Sequence, residues 1–205
     1  RFFVKLAFLT PGTGNYYCGV CMRDNSLAKQ LISQGHEVTM LPTYLPHFLD
    51  EDSATGDEPI FFGGINVYLQ HKFSLFRKTP LWIDKAFDNK WLLKKAAARS
   101  GMTSSKDLGE ITLSTFRGED GPLVKEVNKV LQWFKKNGTP EVILLSTIML
   151  AGIGKVLKRE LKVPVLGFLQ GEDAFLDSLL PEYRSEAWRL LSDDVAKLDG
   201  CIAPS

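Results

Sequence analysis

The feature that most constrains this chain is the order of its patterns. Within the first 42 residues an apolar run, a glycine turn, a helical stripe and a second apolar run follow one another. Phe2 to Leu9 is β-rich and ends in Thr10-Pro11-Gly12-Thr13-Gly14-Asn15, which reads as a strand feeding a glycine loop. Leu27, Ala28, Leu31 and Ile32 then share one helical face, with Gly35 as the stop, and Val38 to Leu41 reads as a strand closed by Pro42. This is one βαβ unit, and such a unit joins parallel strands.

The alternation returns in the second half. Leu123, Val124, Val127, Val130, Leu131 and Phe134 have helical spacing; Asp120 is the expected cap, Pro122 sits in the first turn and Asn137-Gly138 ends the helix. Val142 to Leu145 reads as a buried strand, followed by a helix capped by Ser146 or Thr147 and running to about Leu161. Val163 to Leu169 is the next strand. Tyr183, Ala187, Leu190, Leu191 and Leu198 mark a last helix, and Gly200 to Ala203 a last strand. Strands alternating with helices argue for an α/β fold, a mainly parallel sheet with helices on both faces. Between these halves the pattern is less regular. Residues 43–59 are loop-like and Ile60 to Gln70 is strand-like. The aromatic-rich stretch from Phe73 through Trp82, Phe87 and Trp91 reads as part of a helical insertion at about 73–118, over the sheet edge.

Composition narrows the function classes. The 205 residues are 44% hydrophobic and 24% charged, with 25 Lys and Arg against 24 Asp and Glu and a net charge of +1. Such a chain buries a core and is not disordered. With no excess of cations to neutralise phosphates, a nucleic-acid partner is not expected. The longest apolar stretch, Val142 to Gly154, has 13 residues, short of the ~20 a membrane-spanning helix needs. Three cysteines, Cys18, Cys21 and Cys201, are too few for a disulfide scaffold and suit a reducing cytoplasm. The chain begins with Arg1 and stops at Ser205 just after a strand-like segment, which reads as a fragment of a longer protein.

In an open parallel sheet, ligands sit beyond the carboxyl ends of the strands. Four segments should converge there. Gly12, Thr13, Gly14, Asn15 and Tyr16 form a turn whose backbone N–H groups can approach an anion, although the third glycine of a dinucleotide fingerprint is missing. Arg23 can present a planar fork to a phosphate, while Asp24 or Asn25 can cap the first helix. Ser146 and Thr147 follow the third apolar run. Gln170-Gly171-Glu172-Asp173 ends the next one; one carboxylate, Asp173 in the simplest case, can cap the following helix, and the other can accept sugar hydroxyls or act as a base. Cys18-x-x-Cys21 near a helix start is open to packing, redox chemistry or metal binding, but no second Cys pair or spaced His completes a zinc site.

Two stretches, KLAFLTPGTGNYYCGVCMRDNSLAKQLISQGHEVTMLP and EVILLSTIMLAGIGKVLKRELKVPVLGFLQGED, together with the closing DGCIAPS, resemble the N-terminal domain of a retaining glycosyltransferase of the two-Rossmann-domain (GT-B) type, family 4. The Gly35-His36-Glu37-Val38 entry into the second strand carries that resemblance. Leu144 and Gln170 stand where many members have histidine, and the Cys pair replaces a plainer Gly-Gly turn. The resemblance implies a Rossmann-like three-layer α/β/α domain spanning 1–205, the acceptor-side half of the enzyme. It implies transfer of a sugar from a nucleotide-sugar to a hydroxyl acceptor, with Gln170, Glu172 and Asp173 as catalytic-centre residues. Gly12, Thr13, Gly14, Asn15, Tyr16, Arg23, Asn25, Ser146, Thr147 and Gly171 would line the substrate cleft. No metal and no cofactor is implied, the nucleotide-sugar being a substrate. The family's Glu-x7-Glu donor motif is missing, since no two glutamates are eight apart. A C-terminal donor-binding domain of the same chain is therefore the expected partner, and residues 1–205 alone are expected to be inactive. The aromatic insertion reads first as an ordinary packed insertion, with an acceptor lip or a contact with the inner face of a membrane as the alternative. A non-catalytic nucleotide or sugar binding module and a Cys-x-x-Cys redox protein are the competing readings. A dinucleotide oxidoreductase is weakened because Leu41-Pro42-Thr43 offers no acid for a ribose.

Overall fold

The computed structural model describes residues 3–11, 19–43, 52–55 and 105–203. The elements are β1 (Lys5–Thr10), α1 (Gly19–Ser33), β2 (Glu37–Pro42), α2 (Ser105–Arg117), α3 (Val124–Asn137), β3 (Val142–Leu145), α4 (Ala151–Leu161), β4 (Val165–Phe168), the short α5 (Glu172–Asp177), α6 (Pro181–Val195) and β5 (Gly200–Ile202). Short 3-10 turns at Gly118–Asp120 and Ile148–Leu150 lead into α3 and α4. The five strands form one all-parallel sheet in the order β2-β1-β3-β4-β5. Helices flank it, which is the Rossmann-like three-layer α/β arrangement that the sequence pattern predicts. The expected strand at 60–70 and the aromatic stretch at 73–104 lie outside the described residues.

Because strand side chains alternate between faces, each of β1 to β4 feeds two cores. Ala7 and Leu9 of β1, Leu41 of β2, Ile143 and Leu145 of β3 and Val165 of β4 face a large core closed by α2, α3, α4 and α6. Phe8, Val38, Met40, Leu144 and Phe168 face a smaller one against Ala28, Leu27 and Leu31 of α1. The helices obey the same rule at their own period. Val127, Val130, Leu131 and Phe134 of α3 are all buried, as their spacing predicts. Val124 and Ile32, expected on the buried stripes, are exposed. Val124 is the first residue of α3, and Leu123 just before it fills the buried place.

Capping differs from expectation at α3. Asp120 falls in the preceding 3-10 turn, and Leu123 occupies the cap with no side-chain hydrogen bond. Gly138, with φ of 107°, ends that helix as predicted. Residues 105–117, the last part of the expected helical insertion, form the helix α2, and Leu113 and Phe116 belong to the large core. The join between α2 and α4 is unusually close. A Cβ on Gly152 would stand 2.3 Å from the Phe116 carbonyl oxygen and 2.7 Å from that of Thr115. Only a residue without a side chain admits that backbone contact.

Candidate functional site at the carboxyl ends of the strands

The chain leaves β1 for β2 on one side of the sheet and for β3, β4 and β5 on the other. The crevice beyond the carboxyl ends of β1 and β3 is therefore the switch point, where ligands collect in such sheets. At the rim, Thr43 closes the end of β2 onto β1, its backbone N–H and its hydroxyl both donating to the Thr10 carbonyl at 2.8 Å.

Arg23 and Asp24 reach this crevice from the second turn of α1. Arg23 Nε donates to Asp24 Oδ1 at 2.9 Å, and its Nη2 donates to the same oxygen and, at 3.3 Å, to the backbone carbonyl of Ser146 just past β3. The guanidinium carbon stands 4.0 Å from the ring centroid of Phe168, the last residue of β4. A cation over an aromatic face is attracted by the ring quadrupole, so three elements fix this one side chain. Asp24 is fully buried. Burial pushes its carboxyl above the ordinary value, and the nearby Ser146 hydroxyl and the Arg23 guanidinium pull it back only in part. Among the described residues, four side-chain atoms are buried without a partner in good hydrogen-bond geometry: Arg23 Nη1, Asp24 Oδ2 and Ser146 Oγ here, and Asp194 Oδ2 on α6. Unfilled capacity of this kind is uncommon in a native interior.

Gln170, just past β4, donates from Nε2 to the Ser146 carbonyl at 3.2 Å, the oxygen that Arg23 also uses. Its backbone N–H donates to Glu172 Oε2 at 2.6 Å, and Thr147 Oγ1 donates to Glu172 Oε1 at 2.5 Å. Thr147 Oγ1 also accepts from the Met149 N–H at 3.2 Å, so it caps the 3-10 turn as expected. Glu172 thus clamps the end of β4 to the end of β3, and Gly171 makes the intervening bend at φ 76°. Glu172, not Asp173, binds the local backbone, while Asp173 is exposed beside Gly171, its Oδ1 3.7 Å from where a Cβ on that glycine would stand.

The structure thus brings together Arg23, Ser146, Thr147, Gln170, Gly171, Glu172 and Asp173, and adds Asp24. Asn25 is used differently. Its Nδ2 donates to the Asp52 carbonyl at 3.2 Å and its Oδ1 accepts from the Ala54 N–H at 2.7 Å, so the amide pins a distant segment onto α1. Neither Asp24 nor Asn25 caps α1, which begins at Gly19. The sequence held the missing signal. Cys21, Asp24, Asn25 and Ala28 recur at helical spacing and are all buried, so the stripe of α1 starts a turn and a half before Leu27. Gly12, Thr13, Gly14, Asn15 and Tyr16 lie outside the described residues, as does Cys18. No family model matches the chain, and neither does any curated protein or solved structure.

Among the described residues, two depressions lie elsewhere. One of about 240 Å³ is at the amino ends of β1 and β2, lined by Lys5, Glu37, Thr39 and Trp133 among others. The other, about 560 Å³, is lined by Glu119, Asp120, Lys155, Lys158, Arg159 and Lys197. Its cations are matched by carboxylates: Lys155 lies 2.8 Å and Lys197 3.5 Å from Asp194, Lys158 3.0 Å from Asp199, and Arg159 2.5 Å from Glu119. Neither lies at the carboxyl ends of the strands, so the switch point is the better candidate. Among the described residues no group of three His, Cys, Asp or Glu side chains is placed to hold a metal, and no helix is long and apolar enough to cross a membrane.

Proposed function

We propose that residues 1–205 form the acceptor-side domain of a retaining GT-B glycosyltransferase of family 4, which moves a sugar from a nucleotide-sugar to an acceptor hydroxyl. The observation that carries this reading is the convergence of Arg23 and Gln170 at the switch point on one carbonyl, that of Ser146. Gln170 has both donor and acceptor atoms but does not titrate, so its role is to position a hydroxyl rather than to move a proton. Glu172 holds Gln170 in place through the backbone and is a positioning residue. Asp173 is the solvent-facing carboxylate able to accept from a sugar hydroxyl. The donor's nucleotide and diphosphate are assigned to a second domain of the same polypeptide.

Nucleotide release from a panel of nucleotide-sugars, measured on the whole reading frame that encodes these residues and on residues 1–205 alone, tests the reading. Turnover by the whole protein and none by residues 1–205 is the expected result. A whole protein that consumes no nucleotide-sugar overturns the transferase reading. Turnover by residues 1–205 alone overturns the assignment to an acceptor-side half.

A further inference from the structure

The charge and the hydrogen-bonding capacity of this crevice point to the kind of acceptor it takes. We infer that it receives an uncharged saccharide and discriminates against a phosphorylated one, an inference that rests on the transferase reading above. Among the described residues of the cluster one cation, Arg23, stands against three carboxylates, Asp24, Glu172 and Asp173. That cation is already engaged: two of its three guanidinium nitrogens face Asp24 Oδ1. A phosphate entering here meets a surplus of negative charge and no free fork.

The unfilled hydrogen-bonding capacity points the same way. Asp24 Oδ2 is an acceptor, Ser146 Oγ both accepts and donates, and Arg23 Nη1 is a donor. Exposed Asp173 adds two acceptor oxygens. A phosphate dianion brings acceptors alone, and meets donors at only two of these positions. A polyol brings a donor and an acceptor with every hydroxyl, so it can serve donor and acceptor positions alike, although Asp24 Oδ2, Ser146 Oγ and Arg23 Nη1 are themselves buried and the Ser146 hydroxyl lies beside the Asp24 carboxyl. The Phe168 ring under the guanidinium keeps Arg23 from swinging outward to recruit an anion.

The test uses the purified 205-residue chain and matched probes: glucose with glucose 6-phosphate, and mannose with mannose 6-phosphate. The backbone amide resonances of Gln170, Gly171 and Asp173 are followed during titration at low salt. Saturable shifts with at least one neutral sugar, at a Kd about tenfold or more below that of its phosphate, are expected. Asp173→Asn, an exposed change that leaves the fold intact, should narrow the preference by about threefold, as removal of one charge at ~6 Å in a water-like medium implies. Tighter binding of the phosphates, or no saturable shift with either neutral sugar, overturns the inference. Nucleotide release by the whole protein with phosphorylated acceptors alone also overturns it while leaving the transferase reading standing. Preferential binding of the neutral sugars by a protein without nucleotide-sugar turnover supports the inference as a binding specificity and removes the transferase reading.

Discussion

On the face of the sheet covered by α2, α3, α4 and α6, the described residues form one continuous apolar core that runs from Ala7 to Leu198. On the other face, around α1, the buried apolar set is Phe8, Ala28, Val38, Met40, Leu144 and Phe168. Beyond the carboxyl end of that smaller core, Phe168 carries a guanidinium rather than another aliphatic group, and buried polar atoms lack partners. The two faces divide the labour. The large core supplies burial at about 25 cal/mol per Å² of apolar surface. The α1 face ends in a polar rim that gathers three of the four buried unpartnered polar atoms among the described residues, the fourth being Asp194 Oδ2 on α6. Sites kept for ligands are commonly under-satisfied in this way, because optimal packing and an open polar crevice compete for the same atoms.

Three experiments break or sharpen this contrast. The largest effect is expected at the α2–α4 join of the large core. Gly152→Val drives a side chain into two backbone carbonyls that cannot rotate away, and should destabilise by at least ~3 kcal/mol in chemical denaturation. A loss under ~1 kcal/mol would mean that the two helices slide freely, against the packing described. Next comes the rim. Glu172→Ala removes the shared acceptor of Thr147 and the Gln170 N–H and should cost about 2 kcal/mol. Amide exchange at Gln170 should speed up while exchange in α3 stays unchanged; an equal effect on both would assign Glu172 to the global fold instead.

The smallest effect opposes two aspartates. Asp199, after α6, accepts from the Val165 N–H at 2.9 Å, and this bond, followed by Lys158, holds its carboxyl below the ordinary value of 3.8. Its contribution is present above the unfolded-state pKa and is lost as pH falls through the depressed folded one. Asp199→Asn should therefore lower Tm slightly at neutral pH, by roughly a few tenths of a kcal/mol for so exposed a group, and the gap should close below about pH 4. Asp24, raised by burial, has the opposite sign. Its ionisation costs the native state more as pH rises from 3.8 through the raised value. Asp24→Asn should thus gain on the wild type over that window, read from Tm between pH 3 and 7. Parallel pH profiles for the two variants would refute the contrast.

Much of the fold was legible because each strand and helix carries its own period. The α3 stripe, the β3 strand at Val142 to Leu145 and the Thr147 cap all lie where the spacing places them. The ends were less legible: β4 is shorter than the apolar run Val163 to Leu169, because pairing, not hydropathy, ends a strand. At the site, topology was enough to select the strand ends, but not which side chain would meet which. That Glu172 turns to the backbone while Asp173 faces water depends on the left-handed bend at Gly171, which two adjacent acids in a sequence do not disclose. Asp24 passed as a cap because a lone acid near a helix start usually is one. Its burial follows from the helix beginning earlier, at Gly19.

The amide of Asn25 has a consequence for how this protein can vary. It moors Asp52 and Ala54 to α1, while Thr43 is tied to the end of β1. Thr43 and the segment 52–54 are thus two fixed posts, each held by contacts with β1 or α1. Lengthening the chain between such posts is inexpensive, about 0.6 kcal/mol for each doubling. Evolution or an engineer can therefore rewrite that stretch, or splice new sequence into it, while the crevice a few residues away keeps its register.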